Sequence, residues 1–197
     1  MEINLTEIYK GLAEWRAERG ITAKSQKEGY LVNVMEELGE LATALREYER
    51  FSKPSYPYQK NKKYAEHGII DALCDISVFT INAGADIPCE FKRTEIEWKK
   101  SSLDADYILK QMIEKCAEFS HFEWVDIPSF NIILANCAYL CGHYGYNFEI
   151  AMLETIKEIS SRTGSYNEAT KKWEKDLSDE AKAKWYKADY EKARIKK

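Results

Sequence analysis

The feature that most constrains the fold is a largely apolar run at residues 69–85, which carries two charges, Asp71 and Asp75. The run contains no proline and is longer than the about 4–8 residues of a typical strand, so the sequence predicts a helix. Because four residues advance a helix by one turn plus about 40°, Asp71, Asp75, Val78 and Asn82 share one narrow stripe. Apolar residues dominate the other sides, and such a helix is expected to be buried nearly all round.

Two carboxylates in a buried helix need partners. An ionised carboxylate away from water must be paired, hydrogen-bonded or bound to a metal, and two carboxylates one turn apart also repel each other. Two explanations remain open at this point. Either lysine or arginine side chains from another helix pair with Asp71 and Asp75, or the two aspartates belong to a cation site that needs further carboxylates nearby.

The composition favours a single all-α domain. Only 9 glycines and 4 prolines occur among 197 residues, and strand-like alternation is scarce. The net charge of −4 gives no indication of nucleic-acid binding. The sequence shows no signal peptide and no apolar run of about 18 residues, so we expect neither secretion nor a membrane segment. Five cysteines without zinc-finger or CxxC spacing are typical of reduced core thiols, which favours a cytoplasmic location.

Hydrophobic periodicity and capping signals place the remaining elements. A loop with two prolines is expected at residues 51–62. Helices are expected at residues 5–19, 25–50, 103–122, 127–145, 148–162 and, with Ser178 as the N-cap, 178–194.

The second of these helices carries three acids on one face. Glu36, Glu37 and Glu40 lie within about 100° of one another on the helical wheel, and the opposite stripe is apolar, formed by Val34, Leu38, Leu41 and Leu45. Taken alone, this pattern is typical of a solvated surface, because EExxE is common in helices.

Taken together, the acids of the two helices indicate a cation site. Only one loop separates them, so the helices can pack antiparallel and bring Glu36, Glu37 and Glu40 opposite Asp71 and Asp75. Such a cluster would repel itself strongly without a cation. All-oxygen donors suit Mg²⁺, with Mn²⁺ as the alternative, and Mg²⁺ commonly serves substrates that bear phosphates.

A carboxylate-bridged di-iron bundle is the competing metal site. Such bundles use a Glu-x-x-His motif on two helices, whereas this sequence has it once, at Glu118 and His121. A non-catalytic helical interaction protein is the second alternative.

EELGE at 36–40 and DALCDISVFTIN at 71–82, preceded by LAEWRAERGI at 12–21, resemble the all-α nucleoside triphosphate pyrophosphohydrolases. This is the superfamily of MazG, the dimeric dUTPases and the dCTPase-like enzymes, whose signature is EExxE followed by ExxD. ETIKEISSRTG, KKWEKD and WYKADY resemble a longer MazG-like subgroup common in phage genomes. In one departure, the ExxD glutamate falls on Ala72, and we expect Asp71 to replace it.

The resemblance implies an antiparallel MazG-like bundle formed by one domain, residues 1–197. Within it, residues 1–90 would supply the metal-binding helices, 91–145 an inserted helical pair, and 146–197 a C-terminal segment on the phosphate side. The expected activity is Mg²⁺-dependent conversion of a nucleoside triphosphate into the monophosphate and pyrophosphate, by attack of water on the α-phosphorus. A homodimer or homotetramer is implied, with no nucleic-acid or membrane partner.

Roles for individual residues follow from the same resemblance. The metal ligands would be Glu37, Glu40 and Asp75, with Asp71 as the replacement ligand. Glu36 would be a ligand or would orient one, and Glu36 or Glu37 would act as the general base. Asn82, which continues the acidic stripe, and Arg162, Lys172 and Lys175 are the expected substrate-binding residues. From the sequence alone, solvated lysines are the simpler interpretation, and Trp173, Trp185, Tyr186 and Tyr190 are expected to pack against the bundle.

Overall fold

The computed structural model describes residues 2–53, 55, 59–97, 104–121, 126–167 and 172–196, with the backbone alone at 59, 60, 97, 166 and 172. This part is predominantly helical, as predicted. Its α-helices are α1 (Thr6–Glu18), α2 (Ala23–Phe51), α3 (Gln59–Ala83), α4 (Ala105–His121), α5 (Ile127–His143), α6 (Phe148–Ser161) and α7 (Asp179–Lys182). Its short strands are β1 (Glu2–Asn4), β2 (Glu95–Glu97), β3 (Gly164–Asn167) and β4 (Lys172–Lys175).

Helices α2 and α3 form the centre of the bundle, and α3 also packs against α1, α5 and α6. The predicted burial of α3 is confirmed, because Ile69, Leu73, Ile76 and Ile81 are all at most 2% exposed. On α2, the apolar stripe opposite the acids faces the core as expected. The apolar faces of these two helices therefore fix the acidic face of α2 at the edge of the core.

Most helix boundaries agree with the prediction to within two residues. Thr22, Asp126 and Asn147 cap α2, α5 and α6 by accepting a backbone N–H with the side-chain oxygen. The loop prediction at residues 51–62 is wrong at Phe51, the last residue of α2, and from Gln59 onward, where α3 begins. Proline restricts only the residues next to it, so the polar stretch that follows is able to join the helix. Residues 54 and 56–58 lie outside the described residues.

Two small antiparallel sheets complete the fold. Strand β1 pairs with β2, with Ile3 opposite Ile96, and β3 pairs with β4 in a hairpin that follows α6. A Cβ atom at Gly164 would lie 2.2 Å from the Glu174 carbonyl oxygen, so only glycine allows this close approach of the two strands. The hairpin was not predicted, because its residues are polar and lack a regular alternation.

The predicted helix at residues 178–194 is wrong beyond Lys182. Ser178 does cap α7, but α7 has only four residues. Further on, the backbone N–H groups of residues 186, 188 and 189 donate to Ser161, Glu158 and Glu154 of α6, over 2.8, 2.8 and 3.2 Å. These side chains satisfy donors that would otherwise bond within a helix. The segment therefore runs along α6 and ends in a 3₁₀ turn, Tyr190–Ala193.

All five cysteines are free thiols and four of them are buried, which agrees with the expectation of core thiols. Among the helices that the structure describes, none has the length and apolar character needed to cross a membrane.

Candidate metal-binding site

The register of α2 and α3 brings the predicted carboxylates together. On one side of the cluster, the Tyr30 hydroxyl lies 3.1 Å from Thr80 Oγ1. On the other side, a Cβ atom at Gly68 would lie 3.2 Å from the Ala44 Cβ. Because the helices run antiparallel between these two contacts, the segment 36–40 of α2 lies level with the segment 71–75 of α3.

Glu37 is the acid at the centre of this arrangement. It is half-buried, and burial followed by repulsion from Asp75, Glu40, Asp71 and Glu36 raises the pKa of Glu37 to about 8. The other four predicted acids therefore all act electrostatically on Glu37. Without a bound cation, Glu37 would hold its proton through most of the neutral range.

The pKa values of the two aspartates of α3 are raised as well. Burial and the neighbouring Asp71 raise the pKa of Asp75 to about 7, against the opposing effect of Arg162. Burial also raises the pKa of Asp71, although a hydrogen bond from Tyr190 acts in the other direction. Within the described residues, no lysine or arginine forms an ion pair with either aspartate. Among the side chains that the structure describes, the positive charges that act on Asp71 and Asp75 therefore do so without a direct ion pair.

An open groove of about 420 Å³ runs along this face of the helix pair. Acids from both helices line it, beside glycines that keep it wide. Its lining residues are Glu36, Gly39, Glu40, Thr43, Ala44, Glu47, Gly68 and Asp71. The groove gives solvent and small ligands access to the carboxylates of Glu36, Glu40 and Asp71.

Positive charges approach the cluster from the C-terminal side. Arg162 follows α6 and donates from Nη2 to Glu158 Oε1 over 2.7 Å. Lys175 of β4 lies close enough to the cluster that burial and Arg162 lower the pKa of Lys175, while Asp75, Glu36 and Glu37 raise it. The structure thus brings two of the three predicted basic residues to the acids. The third, Lys172, has its backbone in β4, and its side chain lies outside the described part.

Asn82 is placed differently from the other predicted site residues. It is fully buried, and its Oδ1 accepts a hydrogen bond of 2.6 Å from Arg16 Nη1. Its Nδ2 has no acceptor among the described residues. Asn82 lies two turns, about 10 Å, beyond Asp75 on the same helix, so it is separated from the centre of the acidic cluster.

Three residues near the cluster were not predicted as part of the site. The Tyr190 hydroxyl donates to Asp71 Oδ1 over 2.5 Å, and the charges of Glu158 and Lys187 act on Asp71. Glu158 precedes Arg162 by one helical turn, a spacing typical of an ion pair, so the sequence did carry a signal for it. Tyr190 and Lys187 reach Asp71 only through the irregular path of the C-terminal segment.

The competing Glu-x-x-His motif lies on α4, and its contacts are made elsewhere. Glu118 accepts hydrogen bonds from Lys115 over 2.7 Å and from Ser129 over 3.0 Å. Of the other histidines, His67 lies with its Nε2 2.7 Å from Glu191 Oε1. The main influences on the pKa values of Glu37, Asp71 and Asp75 come from burial and from groups other than Glu118 and His67.

The donor chemistry of the acidic cluster suits a hard divalent cation, because every candidate ligand is a carboxylate oxygen. Across the ranges that the structure describes, no three acidic, histidine or cysteine side chains converge into a formed metal site. Glu36 and Glu40 are exposed and would have to turn toward Asp71 and Asp75 to complete one. The raised pKa values of Glu37 and Asp75 reflect repulsion between carboxylates, and a bound cation would offset this repulsion. In this respect the residues fit Mg²⁺.

Comparisons of the chain with known protein families, with curated proteins and with solved structures gave no match. The resemblance to the MazG-like enzymes therefore stays a prediction, and the function has to be argued from the site.

Proposed function

We propose that the chain is a Mg²⁺-dependent nucleotide pyrophosphohydrolase, which uses one water molecule to convert a nucleoside triphosphate into the monophosphate and pyrophosphate. The observation that supports this most is the mutual repulsion of the carboxylates of α2 and α3, with Arg162 and Lys175 beside them. Carboxylates that repel one another attract divalent cations, and neighbouring cations attract phosphates. A metal-bound triphosphate satisfies both halves of such a site.

Each carboxylate takes a role in this proposal. Glu37, Glu40, Asp71 and Asp75 would hold Mg²⁺, or Mn²⁺ in its place. When bound, the metal neutralises phosphate charge and lowers the pKa of its bound water. Glu36 or Glu37 serves as the general base that accepts a proton from the attacking water.

The basic residues take the phosphate side of the substrate. Arg162 and Lys175 contact the outer phosphates, with Lys172 as the third candidate, and their charges help to hold pyrophosphate as it leaves. Asn82, the predicted contact for sugar or phosphate, is buried against Arg16 about 10 Å from Asp75 along α3, so we assign it no direct role at the phosphates. The choice of the α-phosphorus comes from the resemblance to the MazG-like enzymes.

The proposal extends to the biological setting. We place the activity in the cytoplasm, where it would clear nucleoside triphosphates from the pool, and we expect a homodimer or homotetramer. Neighbouring apolar side chains on α2 support the oligomer: Leu31, Val32 and Met35 are 49%, 74% and 59% exposed. Exposed apolar patches of this kind commonly mark protein interfaces.

The test is a panel of ribo- and deoxyribonucleoside triphosphates incubated with the full chain and Mg²⁺. We expect monophosphate and pyrophosphate in equal amounts and no turnover after addition of EDTA. Release of diphosphate and orthophosphate would contradict the pyrophosphohydrolase assignment. Absence of turnover with every nucleotide would favour an interaction protein, and purification with iron would favour the redox bundle.

Variants separate the acidic cluster from the competing motif. Glu40→Gln and Asp75→Asn are expected to abolish turnover while the far-UV circular dichroism stays unchanged. Glu118→Gln is the matched control, because it removes a carboxylate on α4 away from the cluster, and it is expected to retain activity. If Glu118→Gln abolished turnover and Glu40→Gln did not, the site would be misassigned.

A further inference from the structure

Tyr190 contacts the acidic cluster from the C-terminal segment, outside α2 and α3. Its side chain is 5% exposed, and its hydroxyl donates to Asp71 Oδ1 over 2.5 Å. The same hydroxyl lies 3.0 Å from Thr155 Oγ1 on α6. A hydrogen bond to a carboxylate is among the stronger kinds in proteins, so it holds Asp71 in one orientation.

The hydroxyl is positioned by the fold and not by Asp71 alone. Before it, the N–H groups of Ala188 and Asp189 donate to Glu158 and Glu154 of α6. After it, the Ala193 carbonyl accepts from Asn147 N over 2.7 Å. Tyr190 is thus tied to α6 on both sides.

This hydrogen bond gives the two carboxylate oxygens of Asp71 different surroundings. Oδ1 accepts from Tyr190, whereas Asp71 also lines the groove that contains Glu36 and Glu40. A carboxylate that is already held by one oxygen can bind a cation with the other oxygen. Its side chain is ordered before the cation binds, so cation binding costs less conformational entropy. The MazG-like motif has a glutamate at the position of Ala72, and Asp71 is one carbon shorter than glutamate. Its carboxylate can therefore reach a cation only if the side chain is held in the right orientation.

We propose that Tyr190 is a positioning residue that aims the Asp71 carboxylate for binding of a divalent cation. The inference rests on the proposed function, because it takes Asp71 as a metal ligand. Partners that orient a metal ligand from behind typically contribute about 10-fold to 100-fold in metal affinity. Tyr190 thereby gives the C-terminal segment a role at the acidic face of the helix pair, in addition to the predicted phosphate contacts.

The experiment compares Tyr190→Phe with Tyr186→Phe in the full chain. Tyr186 is a matched control because it lies in the same C-terminal segment as Tyr190. Its hydroxyl also donates to a buried carboxylate, that of Glu154 on α6. Mg²⁺ affinity is measured by calorimetry without nucleotide, and Tm is measured in EDTA. We expect Tyr190→Phe to bind Mg²⁺ about 10-fold to 100-fold more weakly and Tyr186→Phe to bind it like the wild type.

A spectroscopic signature provides the second readout. Binding of Mg²⁺ at Asp71 changes the hydrogen bond of the Tyr190 phenol, so a tyrosine difference absorption spectrum is expected in the wild type and in Tyr186→Phe but not in Tyr190→Phe. Equal Mg²⁺ affinities in the two variants, or losses that only follow their Tm, would overturn the inference, as would a wild-type chain that binds no Mg²⁺. Failure of the proposed function looks different, because Mg²⁺ binding would remain while no nucleotide is hydrolysed.

Discussion

Replacement of Asp75 by asparagine should stabilise the protein when no divalent cation is present. Burial and the charge of Asp71 act against ionisation of Asp75, and asparagine keeps nearly the same shape without the charge. A change that removes a proposed metal ligand is therefore expected to raise the free energy of unfolding of the metal-free protein.

The size of the effect follows from the pKa of Asp75, which is raised from 3.8 to about 7. One pKa unit corresponds to about 1.36 kcal/mol, so an ionised Asp75 destabilises the fold by up to about 4 kcal/mol. Because buried charges in proteins behave as if the effective dielectric constant were about 20, we expect a smaller effect, about 2 kcal/mol. For a chain of this size, that corresponds to about 4–8 °C in Tm.

The sign of the pH dependence is fixed by the direction of this change. The folded protein binds the Asp75 proton more tightly than the unfolded chain does, so the wild type is most stable below pH 3.8 and loses stability as the pH rises to about 7. Asp75→Asn lacks this loss. The two proteins should therefore melt alike near pH 4, and the variant should melt higher at pH 8.

The assay is thermal unfolding in EDTA at pH 4 and pH 8, repeated at pH 8 with excess Mg²⁺. Mg²⁺ should stabilise the wild type, because a ligand of the folded state shifts the unfolding equilibrium, and should reverse the order of the two proteins. Glu28→Gln, which removes an exposed carboxylate elsewhere on α2, should change stability by less than about 0.5 kcal/mol. Equal melting of wild type and Asp75→Asn in EDTA at pH 8 would refute the reasoning.

Three further predictions follow from single contacts. Lys175→Ala should raise KM for a nucleotide several-fold with little change in kcat, and an unchanged KM in steady-state assays would make this lysine part of the solvated surface. Burial acts to raise the pKa of Glu154, yet hydrogen bonds from two lysines and a tyrosine lower it to about 2; Glu154→Gln should therefore cost about 1–3 kcal/mol at pH 7 and progressively less below pH 4.5 in denaturant titrations. A Cβ atom at Gly84 would lie 2.6 Å from a Phe130 ring carbon, whereas one at Gly39 would meet nothing within 4 Å; Gly84→Ala should lose about 1–3 kcal/mol and Gly39→Ala should gain up to about 1 kcal/mol, and the reverse order in melting experiments would contradict this packing.

The central helices could be predicted because their signals are local and redundant. In α3, most positions from Ile69 to Ala83 are apolar and buried, and the two aspartates stand out against that background. In α2, the acids and the apolar stripe occupy opposite faces, which fixes how the helix lies against the core. The antiparallel packing of the pair then followed from the short loop between them.

The C-terminal segment could not be predicted in the same way. Its sequence begins a helix at Ser178 with good local signals, but the acceptors that end that helix are Ser161, Glu158 and Glu154, which are distant in sequence. Local propensity is readily overridden when distant groups satisfy the backbone. The contact between Tyr190 and Asp71, which spans 119 positions, depends on the same path.

The charges of the site lead to a last prediction, that Mg²⁺ and nucleotide bind cooperatively. A bare triphosphate would meet the carboxylates of Glu37 and Asp75, which already repel each other, and Arg162 and Lys175 cannot offset all of this repulsion. Bound Mg²⁺ removes that barrier, and by linkage the nucleotide must strengthen Mg²⁺ binding by the same factor. Titration of a non-hydrolysable triphosphate analogue should give at least about 10-fold tighter binding with Mg²⁺ than in EDTA, a coupling of about 1.4 kcal/mol. Under the same conditions, Asp75→Asn should lose most of this coupling, because it binds Mg²⁺ weakly and repels the bare triphosphate less. Equal affinity of the wild type with and without Mg²⁺ would mean that the acids and the cations serve separate ligands.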